Sequence, residues 1–128
     1  METFRFKNFG VHSDAKKFRK LVQSYLKKFP PHHSLHDQIS RACLSIILNI
    51  AEGSAKGSDK EFKRFMGMAI ASVNEVVAGF DLACDDALIN TADLQVIEDA
   101  AGNVARQIGG FIRKLAFDVK SQKLRVKS

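Results

Sequence analysis

LHDQISRACLSIILNIAEGSAKGSDKEFKRFMGMAIASVNE, residues Leu35 to Glu75, holds two helical patterns joined by a glycine-bounded loop. In the first, Leu35, Ile39, Ala42, Cys43, Ile46 and Ile50 recur at the three-and-four spacing that places side chains on one helical face. Leu44, Ile47, Leu48 and Ala51 form a second apolar stripe beside it. One stripe suffices for an intramolecular core, so the second predicts a subunit interface. Arg41, Ser45, Asn49 and Glu52 follow one another at steps of four, four and three, a polar row on an otherwise apolar helix. Burying such groups unpaired costs roughly 1–3 kcal/mol each. The row is therefore expected to join Ser72 and Glu75 in a structural polar network, and the helix to be packed on several faces.

Working outward, this helix is predicted over residues 34–52 with Gly53 as its C-cap glycine. The next, over 58–88, opens on a capping box of Ser58 and Glu61. It carries Phe62, Phe65, Met66, Ala69, Val73, Val76, Phe80, Ala83 and Ala87 on its core face, with Gly67, Ala71 and Gly79 keeping parts of its surface small. Before them, Phe18, Leu21, Val22, Tyr25 and Phe29 predict a helix over 13–29, capped at Ser13 or Asp14 and ended by Pro30 and Pro31. After them, Leu94, Ile97, Ala101, Val104, Ile108, Phe111 and Leu115 predict a helix over 91–118 capped by Asn90 or Thr91. Residues 119–128 read as a mobile basic tail. Four amphipathic helices on short loops, with no strand pattern, predict one all-α domain over 1–128: an antiparallel up-down-up-down four-helix bundle.

At 128 residues with 45% apolar content, the chain is long enough for a real core. METFRFKNFG lacks an apolar run of roughly 7–15 residues, so no signal peptide is expected. No apolar stretch is expected to reach the roughly 20 residues that span a bilayer. Two cysteines inside apolar patterns suggest reduced thiols and a cytoplasmic protein. The net charge of +6 is uneven. Residues 1–28 hold eight Lys and Arg against two acids, residues 29–110 six against eleven, and residues 111–128 six against one. Basic ends on an acidic middle point to RNA, DNA or an acidic protein as partner, though the same charge also serves plain solubility. With no Trp, one Tyr and ten Phe, stacking on bases would fall mainly to Phe.

Catalytic and metal-binding patterns are weak. His32, His33 and His36 straddle a Pro-ended loop and a helix start, and only Asp37 stands near them as a further ligand; no metal is expected. GSAKGS lacks the P-loop pattern, and Asp59 and Glu61 would oppose a phosphate there. Asp85 and Asp86, adjacent on a helix, diverge. Glu52 and Glu75 would need a separation no sequence supplies to work as an acid/base pair, and the structural network is the better reading. The chain is expected to be no enzyme and to need no cofactor.

The run L-x-x-Q-I-x-R-A-x-x-S-I-x-x-N-I-A-E-G from Leu35 to Gly53 resembles the four-helix-bundle proteins encoded by intervening sequences in bacterial 23S ribosomal RNA genes. Ser58, Glu61, Phe62, Arg64, Phe65, Ala69, Ser72 and Glu75 continue the match, and FRFKNFGV and Phe29–Pro30 fit the family's N-terminal pattern. Ala71 stands where the family usually has Gly, and His12 where it has an aromatic. The resemblance implies a ring-like homo-oligomer, typically a homopentamer, without established catalysis. A structurally similar relative, the accessory variability protein of diversity-generating retroelements, partners a reverse transcriptase and binds nucleic acid; it implies the alternative of an accessory subunit or protein-interaction scaffold.

On either reading a ring would multiply weak phosphate contacts into avidity. The expected contacts are Lys16, Lys17, Lys20, Lys27, Lys28, Lys114, Lys120, Lys123 and Arg125. Lys56, Lys60, Lys63 and Arg64 are expected as a second cluster at the other end. No membrane is expected as a partner.

Overall fold

A computed structural model describes the backbone of residues 4–127 and the side chains of residues 4–115. A short 3-10 helix, Arg5–Asn8, leads into α1 (Gly10–Leu26), α2 (Ser34–Ser54), α3 (Asp59–Asp85) and α4 (Thr91–Lys127), with no strand among the described residues. α1 packs against α2 and α4, α2 against α3, and α3 against α4. α1 and α3 meet only through side chains across the core, where Tyr25 and Phe29 set their rings edge-on to Phe80 at 6.4 and 6.1 Å.

Ile39, Ile46, Ile50, Met66, Val76, Phe80, Ile97 and Ile108 are the fully enclosed center of that core. Each lies on a predicted apolar stripe, because burial of an amphipathic face outweighs local propensity in stabilising such helices. α3 also carries an 18-residue window of mean hydropathy 1.3, so by length and composition alone it could cross a membrane, contrary to expectation. Phe62, Phe65, Met66, Ala69, Val73, Val76, Phe80 and Ala83 on that helix are buried, while Met68 and Leu82 are exposed.

Several boundaries differ from the sequence periodicity. α1 begins at Gly10, with Phe9 as an N-cap that offers no side-chain bond, so Ser13 and Asp14 do not cap it. The reason is tertiary: Phe9 tilts onto Phe111 at 5.0 Å and stacks on Phe62 at 6.1 Å, while Val11 and His12 are buried. α1 ends at Leu26 rather than at Phe29. Gly53 lies inside α2, which closes at Ser54 on a right-handed Ala55, so no left-handed C-cap forms there. A Cβ on Gly53 would stand 2.8 Å from Phe65 Cβ and 3.1 Å from Phe62 Cδ1, and close helix approach is what glycine supplies.

α3 ends at Asp85, and Ala87, expected in its core, is exposed at φ 59°. There Leu88 N–H donates to Ala83 C=O at 2.9 Å and Ala87 N–H to Cys84 C=O at 3.0 Å, the paired bonds of a Schellman motif. Ser58 accepts from Glu61 N–H at 3.2 Å, half of the expected capping box. The reciprocal half is absent because the Glu61 carboxylate is taken by Arg64. The complete box stands at α4, where Asn90 accepts from Asp93 N–H at 2.8 Å and Asp93 accepts from Asn90 N–H at 3.2 Å. α4 runs on to Lys127, where periodicity predicts an end near residue 118.

Candidate nucleic-acid interface

Lys16, Lys17 and Lys20 on α1, and Lys27 and Lys28 in the turn that follows it, are all exposed. None forms an ion pair with a described carboxylate: among the described residues the ion pairs are His36–Asp37, Lys56–Glu52 and Arg64–Glu61. A groove of about 500 Å³ runs between α1 and α2, lined by Lys20, Lys27 and His36 with the polar side chains Gln23, Ser24 and Ser40. Two ammonium groups above hydroxyl and amide donors suit phosphate oxygens. Spacing along α1 shows the lysines, but only the packing of α1 on α2 adds His36 and Ser40.

The opposite charge is collected elsewhere. Residues 65–105 contain Glu75, Asp81, Asp85, Asp86, Asp93, Glu98 and Asp99 and not one Lys, Arg or His. The groove between α3 and α4 reflects this, with Asp81 and Glu98 flanking Val73, Val77, Ala101 and Ala105. It repels phosphate, so the positive surface has a defined side.

The second basic cluster does not lie where it is expected. Arg5 Nε donates to Ser54 C=O at 2.7 Å, and its guanidinium stands 5.3 Å over the Phe62 ring. Phe62 and Phe111 tilt together at 5.0 Å. The α2–α3 loop, the 3-10 segment and α4 near Phe111 therefore meet at one end, which gathers Lys56, Lys60, Lys63 and Arg64 with Lys7 and Lys114 rather than setting them apart. Lys56 and Arg64 are partly neutralised, at 3.8 Å from Glu52 and 3.1 Å from Glu61. The Arg64 hydrogen bond, ahead of the surrounding cations, holds the Glu61 carboxyl below its usual range. Lys120, Lys123 and Arg125 lie outside the residues whose side chains are described.

The expected polar network forms only at its center. Asn49 donates to Ser45 C=O and Oγ, both at 2.9 Å, and Ser72 Oγ bonds Ser45 Oγ at 2.9 Å and Met68 C=O at 3.1 Å. Glu75 instead accepts from Gln38 at 3.0 Å, a cross-helix bond that α2 spacing does not show. Glu52 faces Lys56 at the surface, and Arg41 is exposed without a hydrogen bond or ion pair among the described residues. Beside this row Leu44, Leu48 and Met68 are exposed, Leu48 to 54%. Gly67 and Ala71 are exposed with them, and nothing stands within 4 Å of a Cβ on Gly67.

The histidines have local roles. His33 Nδ1 accepts from Leu35 N–H at 3.1 Å and caps α2, His36 lies edge-on to Phe29 at 6.5 Å, and His32 takes the turn at φ 62°. No group of three or more His, Cys, Asp or Glu among the described residues could hold a metal. Both cysteines are free. Burial pushes the Cys43 thiol up to about 11, against a weaker pull from Arg19, so it is protonated at neutral pH.

The profile of the family described as 23S rRNA-intervening sequence protein matches residues 7–110. The chain belongs to this family. The matched span takes in all of α1, α2 and α3 and the part of α4 that bears Ile97, Val104 and Ile108. Among solved structures, the chain is similar to a protein of unknown function from the S23 ribosomal protein family of Bacteroides thetaiotaomicron. The two share 19% identity at a TM-score of 0.74, over 80% of this chain and 97% of that one. At that identity the likeness establishes the fold. No curated protein matches the chain.

Proposed function

We propose that this member of the 23S rRNA-intervening sequence family is a non-enzymatic, cytoplasmic protein that binds RNA through phosphate contacts as a ring-like homo-oligomer. The observation that carries the reading is the row of five exposed lysines, three on α1 and two just past its end, that form no ion pair with a described carboxylate, set against a stretch of 41 residues whose only charged side chains are acids. Uncompensated cations gathered on one side form the electrostatic footprint of a polyanion partner.

Antiparallel up-down-up-down topology is supported by the helix contacts and by the meeting of Arg5, Ser54, Phe62 and Phe111 at one end. Assembly is supported by Leu44, Leu48 and Met68, whose exposure in one strip leaves apolar surface in water at roughly 25 cal/mol per Å². A homopentamer would repeat the α1 lysines five times. The same strip, with Arg41 and Glu52 at its rim, also suits an accessory subunit seated on a reverse transcriptase or another protein, which is the second reading.

Binding of a structured RNA across a salt series, with mass measured in parallel, tests the proposal. Joint Lys16→Glu, Lys17→Glu and Lys20→Glu substitution should abolish binding with helicity intact. For about 6–10 phosphate contacts, affinity should fall roughly 10³–10⁵-fold between about 50 and 200 mM salt. Unchanged affinity in the triple variant would remove the α1 assignment, and an oligomer indifferent to RNA at low salt would leave the scaffold reading.

A further inference from the structure

We propose that the end of the molecule bearing Phe4, Lys7 and the α2–α3 loop takes an unpaired base of single-stranded RNA, with the Phe4 ring as its stacking platform. The proposal rests on the RNA reading above and adds a strand preference that the α1 lysines cannot supply, since they meet phosphates of paired and unpaired RNA alike.

Phe4 is 62% exposed, the one exposed phenylalanine or tyrosine ring among the described residues. A phenylalanine ring left in water forgoes much of the stabilisation that its burial would bring. Its position is held. Arg5, next in the chain, is committed to Ser54 C=O at 2.7 Å and to the Phe62 face at 5.3 Å, which fastens the 3-10 segment while its neighbors Phe4 and Lys7 remain exposed. Phe6 meets the Phe4 ring edge-on at 6.3 Å and 68°, and the Lys7 ammonium stands 5.7 Å from its centroid.

The Lys7 ammonium lies over one face of the ring, so a base would stack on the other with the cation at hand for its phosphate, the combination that single-strand sites use. The charge around the ring favors the strand. Lys60 and Lys63 flank Phe62, the ring that Arg5 covers, in the first turns of α3; both are exposed and form no ion pair with a described carboxylate, so the onward phosphates have partners at this end. A duplex stacks its bases on one another and leaves a free face only at its two end pairs, whereas single-stranded RNA is read by aromatic stacking along its length.

The chain has no tryptophan, so Phe4→Trp installs a single reporter at the site. Titrating that variant with an oligoadenylate should quench its emission saturably, and a blunt A·U duplex of equal length should not. Phe4→Ala should weaken oligoadenylate binding roughly ten-fold or more and leave duplex affinity unchanged. Emission that stays constant at saturating oligoadenylate, or an equal loss for both RNAs in Phe4→Ala, overturns the proposal. So does a Phe4→Ala variant that changes oligomer mass with RNA affinity intact, since Phe4 would then be a subunit contact. If the native protein binds both RNAs and the Phe4 variants match it, this inference fails alone; if the native protein binds neither, the RNA reading fails with it.

Discussion

Ile39 Cγ1 lies 2.5 Å from the point where a Cβ on Gly79 would stand. At that level α2 presses its side chain against the backbone of α3, and both residues are buried. Gly79→Ala should therefore destabilise the fold by about 1–3 kcal/mol despite the better helix propensity of alanine, because Cγ1 of Ile39 sits on a β-branched side chain whose χ1 is stiff and cannot swing away. Urea unfolding measures this. Gly67→Ala, with open space around the same added atom, is the control and should be neutral or slightly stabilising.

Ala87 at φ 59° is a second departure from the residue its backbone asks for. The left-handed conformation costs an L-residue about 1–2 kcal/mol, and glycine escapes it. Ala87→Gly should raise the urea midpoint by an amount worth about 0.5–1 kcal/mol, with the helix content unchanged. A lower midpoint would mean that the Schellman turn after α3 does not form in solution.

His12 makes stability depend on pH. Desolvation, and after it the charge of Lys16, holds its pKa below the ordinary value of 6.5. The unfolded chain thus takes up a proton at a higher pH than the native one. The stability that neutral His12 contributes is full above about pH 7 and is lost as pH falls through the unfolded value toward the lowered native one. Melting temperature should drop between about pH 7.5 and about pH 5.5, and His12→Phe, which keeps a ring against Phe6, should flatten that slope. A slope of the same size in the variant would place the titration elsewhere.

Leu48 separates assembly from folding. Leu48→Lys alters a side chain that is more than half exposed, so the stability of the folded chain should change by less than about 0.5 kcal/mol. If the Leu44–Leu48–Met68 strip is the contact between copies, the mass in solution should fall toward that of one chain. Ser72→Ala makes the converse test: it removes the bonds to Ser45 and Met68 inside the subunit and should cost about 0.5–1.5 kcal/mol whether or not copies associate.

The helices were legible because the apolar period is strong: Ile39, Ile46, Ile50, Met66, Val76, Phe80, Ile97 and Ile108 all lie on stripes visible in the sequence, while Ile89, buried in the turn between α3 and α4, lies on none. The ends of helices were less so. Ser13 and Asp14 have capping chemistry, yet the contacts of Phe9 with Phe62 and Phe111 start α1 earlier, and such contacts depend on residues about 50 and 100 positions away. Gly53 looked like a cap since glycine ends many helices; its use as a contact point depends on Phe65, which only packing discloses. The basic surface was readable residue by residue on α1, where spacing along one helix suffices. It was misread at Lys56–Arg64, because placing one loop beside another end of the chain requires three-dimensional contacts such as Arg5–Ser54. Likewise the polar row implied partners, and Ser72 is one, but the bond from Gln38 to Glu75 crosses helices that no periodicity relates.

Residues 65–105, whose only charged side chains are acids, and α1, with its lysines, give the folded chain a permanent electric dipole moment. In the field of a nucleic-acid strand such a moment feels a torque before any contact is made, turning the lysine side inward and the carboxylate side away. Screening limits this rotation to roughly the last 8–10 Å of approach at physiological salt. Within that distance the encounter is already oriented, and a larger share of collisions arrives in a productive pose.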